Sequence, residues 1–137
     1  MANLTADRSS LKKDGKLIAL PLAANAVIYK GALTCVNAGY LIRGASAANN
    51  VFTGVAYEKV DNTGGANGAK SGRVESDGTH VFAGDGAQAD VGKEMYITDD
   101  QTVTKTAPAE NGVKCGRLVD VPATGINRIK IDGYALA

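Results

Sequence analysis

The sequence has no tryptophan, two phenylalanines, two cysteines, one histidine and three prolines in 137 residues. Each shortage removes a class of function. With His80 alone, any Ser–His–Asp hydrolase must be built around that one imidazole. No G-x-S-x-G elbow is present, and Ser71 and Ser76 fall in turn-rich sequence. A zinc site needs several His or Cys ligands, and Cys35 and Cys115 lie too far apart for a metal knuckle or a disulfide framework. Charge of one sign is also missing: 15 basic and 14 acidic residues leave +1. Nucleic-acid binders usually carry a strong basic excess, because phosphate neutralisation supplies their affinity. No apolar run reaches the length of a membrane span, and Pro21 and Asn25 interrupt the most apolar stretch, residues 17–29. Residues 1–16 carry four cations and two carboxylates without an apolar core segment, unlike a secretory signal.

What is present is small and turn-rich. The length fits one domain. Leu, Ile, Val and Phe make up 30 of 137 residues, just above the roughly 20% at which chains tend to stay disordered. Alanine supplies 22 further apolar residues of little bulk. The core is therefore thin, and burial is expected to be completed against copies of the chain or a larger partner.

Asx-Gly pairs at 14–15, 67–68, 77–78, 111–112 and 132–133 mark turns, because these residues accept positive φ at low cost. Between the turn signals lie short strand-like runs at 17–22, 26–30, 32–36, 40–43, 51–58, 72–76, 79–83, 94–98, 102–106, 113–121 and 126–131. Glu75–His80 reads as a hairpin around Asp77-Gly78, and residues 96–104 as a second one. No twelve-residue window keeps a helical apolar stripe; residues 45–50 and 86–91 allow one helical turn each. The pattern predicts an all-β sandwich or barrel. Residues 1–16 read as an extended polar arm, residues 17–137 as a single β domain, and residues 61–72 as a long exposed loop.

Charge is unevenly placed. Residues 1–43 hold Arg8, Lys12, Lys13, Lys16, Lys30 and Arg43 against two acids, whereas residues 75–100 hold seven acids against Lys93. The bland reading is a solvated surface of mixed sign. The sharper one is a basic arm that reaches an acidic face on a neighbouring subunit. Gly64–Ser71 is one residue short of a P-loop pattern but lacks the buried strand before it and the helix after it, so it reads as a loop. Asp85, Asp90, Asp99 and Asp100 match no calcium-loop spacing and read as turn aspartates. Cys35 and Cys115 read as buried free thiols, with a disulfide possible only if their strands are neighbours. The five tyrosines form no stacking stripe and read as core or interface anchors.

The opening MANLTADRSSLKKDGKLIALPLAANAVIYKGALTCVNAGYLIRG resembles the start of tailed-phage and prophage capsid cement (head decoration) proteins. FTGVAYEKVDNTGGANG, DVGKEMYITDDQTVTKT and CGRLVDV are similar to later blocks of that family, in the same order. The resemblance implies a β-sandwich, jelly-roll-like body on the capsid exterior of the virion, after assembly in the host cytoplasm. It implies a structural protein that bridges neighbouring major capsid protein subunits, with no reaction and no cofactor or metal. Its partners would be the major capsid protein and itself, a homodimer favoured slightly over a homotrimer, with no direct nucleic acid and no membrane. The expected protein-binding residues are Arg8, Lys12, Lys13 and Lys16. The alternative is a non-catalytic glycan-binding module of a phage fibre or adhesin, against which the lack of tryptophan argues.

Overall fold

A computed structural model describes residues 3, 5–8 and 16–131. The described chain is all-β and sandwich-like, without an α-helix. Its strands are β1 (Leu17–Pro21), β2 (Val27–Ile28), β3 (Leu33–Asn37), β4 (Tyr40–Arg43), β5 (Val51–Ala56), β6 (Val60–Asp61), β7 (Ser71–Glu75), β8 (Thr79–Gly84), β9 (Glu94–Ile97), β10 (Thr102–Thr104), β11 (Lys114–Ala123) and β12 (Ile126–Ile131). Every strand-like run of the sequence becomes a strand. Only β6 was not anticipated; two residues are too short to show alternation. Residues 88–90 form a single 3-10 turn inside the segment expected to make one helical turn.

Both architectures that the pattern left open occur together. One layer is a five-stranded sheet in the order β1-β7-β5-β3-β4, and the other is a small closed barrel in the order β10-β8-β12-β11-β9. The sheet curls until Leu22, just past β1, bridges to Leu41 on β4. A ribbon of β2 and β6 packs against one of its faces. The barrel closes through a short parallel pairing of β10 with β8. Its register slips at Gly116 on β11, where a Cβ would overlap the Lys130 carbonyl oxygen of the adjacent strand. Glycine therefore permits the close strand approach at this bulge.

Two cores result. Leu33, Cys35, Phe52 and Val55 of the sheet share one cluster with Phe82, Met95, Ile97, Val103, Val113, Cys115, Leu118, Ile129 and Ile131 of the barrel. Leu22, Ile28, Leu41, Ala56 and Val74 form a second, smaller cluster between sheet and ribbon. β3 sends Leu33 and Cys35 to the shared core and Val36 to the smaller one. β5, whose register shifts between Phe52 and Gly54, places Phe52 and Val55 in the shared core and Ala56 in the smaller one. The sheet is thus the middle layer.

One expected hairpin does not form. Asp77-Gly78 turns the chain, with Gly78 at φ 97°, but β7 pairs with β1 and β5. β8 pairs with β12 and β10. Both strands already have two neighbours, so the turn carries the chain from sheet to barrel. The loop after β6 is more tightly held than its composition suggests. Buried Asn62 donates from Nδ2 to the carbonyls of Ala23 and Ala66. Asn67 and Asn25 accept the Ala24 and Gly64 amides through Oδ1.

Candidate protein-binding surfaces

Of the four expected protein-binding residues, Lys16 lines a cleft. Lys12 and Lys13 lie outside the described residues, and Arg8 is exposed. Lys16 is exposed too, but its backbone is fixed: its carbonyl accepts the Ser76 amide at 2.9 Å. This bond continues the β1–β7 ladder, in which Leu17 pairs with Glu75. Tyr57 extends β5 in the same way, donating its amide to the Arg73 carbonyl. Lys16, Leu17, Tyr57, Glu75, Asp77 and Gly78 line a cleft of about 310 Å³. Leu17 is 43% exposed and Tyr57 44%. Lys16 therefore leads into β1 beside two unburied apolar side chains.

The rim of this cleft is held by charge pairs. Arg73 lies 5.0 Å from the centre of the Tyr57 ring and donates to both carboxylate oxygens of Glu58, at 2.7 and 3.3 Å. That bidentate bond holds the Glu58 carboxyl below the usual range and fixes the guanidinium over the ring. Asp77 accepts from Lys130 at 2.9 Å and from the Gly78 amide, and both hold its carboxyl low. His80 stands 3.6 Å from Glu75 and 3.4 Å from the Asp77 carbonyl. Apolar anchors inside a polar rim are the usual anatomy of a protein–protein contact. The sequence pointed to tyrosines as anchors but could not select Tyr57. Its exposure follows from its place one residue beyond β5.

The acids of residues 75–100 are held by partners within the chain. Glu94 faces Lys114 and Arg117 at 3.3 and 3.7 Å, and Asp100 faces Arg43 at 4.0 Å. Asp85 accepts from the Thr104 hydroxyl and the Lys105 amide, and Asp99 from the Gln101 amide. Asp90 is buried and accepts from the Ala87 amide, Lys93 and Lys105. These contacts, the Ala87 bond foremost, hold its carboxyl well below the usual carboxylate range. Each of the four aspartates is thus held by donors of the chain, with Lys105 shared between Asp85 and Asp90, and no metal-holding group of three or more His, Cys, Asp or Glu occurs among the described residues. Residues 64–71 follow the two-residue strand β6 and run into β7 at Ser71, so the P-loop surroundings do not form.

Cys35 and Cys115 are free and fully buried in the shared core. Burial raises the Cys35 thiol to about 11. Burial, with a smaller repulsion from Cys35, raises Cys115 to about 12. Neither thiol has the low pKa of a reactive nucleophile. No family model, no curated protein and no solved structure matches the chain.

Proposed function

We propose that this chain is a structural virion protein that binds the exterior of an icosahedral phage capsid and bridges neighbouring major capsid protein subunits. The observation that carries the reading is the cleft at the root of the arm. There Lys16 passes directly into an unburied Leu17 beside Tyr57. A contact of this kind suits an arm-and-body clamp: the arm reaches across a subunit boundary while the body seats its apolar anchors. Each copy contributes modest affinity, and many copies on one shell act together through avidity. A homodimer is the simplest closed unit for such a clamp. The resemblance in the strand blocks supports the same reading.

Co-sedimentation with purified capsids tests it. Removing residues 2–16, or combining Leu17→Ser with Tyr57→Ala, should reduce occupancy by about ten-fold or more, since interface anchors of this type are each worth roughly 1–2 kcal/mol or more. Full occupancy by both variants, or failure of the wild-type chain to sediment with shells, overturns the proposal. The glycan-binding alternative would need accessible aromatic faces. Among the described residues the exposed aromatics are Tyr29 and Tyr57 alone, with no tryptophan to offer a larger face.

A further inference from the structure

A second cleft lies where ribbon, sheet and barrel meet. It has a volume of about 410 Å³, and its lining includes Tyr29, Lys30, Arg43, Asp100 and Gln101. The ribbon builds it: Ile28 pairs with Val60, so the next positions outward, Tyr29 and Lys59, stand side by side. Arg43 ends β4 and donates from Nε to the Val27 carbonyl at 2.9 Å, tying sheet to ribbon. The turn between β9 and β10 supplies the third wall, fixed by the Leu33 amide on the Asp100 carbonyl at 2.8 Å. Two cations share one aromatic ring here. The Arg43 guanidinium lies 5.4 Å and the Lys59 ammonium 5.1 Å from the centre of Tyr29, which is itself 50% exposed.

The charge balance of this cleft differs from that of the barrel. On the barrel, Lys93, Lys105, Lys114 and Lys130 each reach a carboxylate within 3.3 Å. In the cleft, Arg43 reaches Asp100 only at 4.0 Å. Lys59 acts on Asp61 at a distance, while the Asp61 side chain accepts from the Thr63 amide and hydroxyl. A ring face attracts a cation but does not neutralise it. Lys30, Arg43 and Lys59 thus leave positive charge around a half-exposed apolar ring.

We propose that this cleft docks a carboxylate-rich segment of the partner protein, with Glu or Asp head groups on the three cations and side-chain stems on Tyr29. The inference rests on the capsid-binding reading for the identity of that partner. The size of the cleft suits a short run of side chains better than a single phosphate ion. The near-zero charge of the whole chain gives no extended basic track for a nucleic-acid backbone.

The test uses the full chain and fluorescein-labelled octaglutamate at low salt, read by anisotropy, with oligothymidylate and inorganic phosphate as competing probes. Octaglutamate should bind, with amide shifts at Gly31, Ala32 and Gln101. Lys30→Glu with Lys59→Glu should weaken it about ten-fold or more, and the Gln versions should fall between. Equal binding by the Glu variant overturns the inference, as does no binding by the wild type. Tighter binding of oligothymidylate, or displacement of the peptide by phosphate, also overturns it. Thermal melts confirm that the surface variants fold. Co-sedimentation separates the two proposals. If wild type and Glu variant load shells equally, this inference fails and the capsid reading stands. If the wild type never loads shells, the capsid reading fails and the peptide arm alone decides this site.

Discussion

Asn127 shows how one side chain can replace a strand. It is fully buried on β12, accepts the Gly86 amide at 2.9 Å and donates to the Gly86 carbonyl at 3.0 Å. Both polar groups of the amide are thereby satisfied, together with a backbone residue just beyond β8. Gly86 has no room for a Cβ, which would press on Leu118 and Asn127. Asn127→Ala should therefore cost about 1–3 kcal/mol, because it leaves the Gly86 groups buried without partners. Urea unfolding checks this; a change below about 0.5 kcal/mol would contradict it. The two thiols make a second test at this scale. Their values near 11 and 12 keep both protonated at pH 9, the ordinary value for a thiol. Iodoacetamide should label neither in the native protein at pH 8, and both once urea unfolds it. Rapid native labelling would show that the core opens.

At the scale of elements, the β3–β4 hairpin has a two-residue turn, Ala38-Gly39, between the paired Asn37 and Tyr40. Both turn residues have positive φ, 52° and 86°, which is the type I′ geometry suited to tight hairpins. Alanine is strained there by about 1 kcal/mol. Ala38→Asn should raise stability by about 0.5–1 kcal/mol, measured as a higher urea midpoint at unchanged slope. The 3-10 turn at residues 88–90 gives a pH test. Asp90 has a lowered carboxyl, so its contribution is present above the unfolded value of about 4 and lost as pH falls through the folded one. Asp90→Asn should lower the melting temperature at pH 7 and flatten its decline on acidification. Equal acid slopes would contradict the ion network. The strands themselves were legible because alternation and Asx-Gly turns are local signals. Their partners were not. Nothing near Asp77-Gly78 reveals that β7 is filled on both sides by β1 and β5. Nor does the acidic run reveal that Lys114 and Arg117 will meet Glu94.

At the scale of the whole molecule, the thin composition is resolved by sharing. Leu33 and Phe52 on the sheet pack in one cluster with Leu118 and Ile129 of the barrel, so neither layer holds a complete core alone. The cation-lined cleft around Tyr29 was unreadable for the same reason: it joins ribbon, sheet and barrel residues far apart in sequence. The cleft beside Leu17 was not legible either: Lys16 stands out in the sequence only by its charge, and Tyr57 arrives beside it by strand pairing. A shared core has a consequence for unfolding. Leu118→Ala, a truncation in the barrel, should cost about 2–5 kcal/mol and destabilise the sheet as much as the barrel. Tyrosine fluorescence and the appearance of the two thiols, one in each layer, should then follow one coincident urea transition in both proteins. If Cys115 became reactive in the variant at lower urea than Cys35, the layers would be separate cooperative units. The chain would then have a barrel that can open while its sheet and ribbon stay folded.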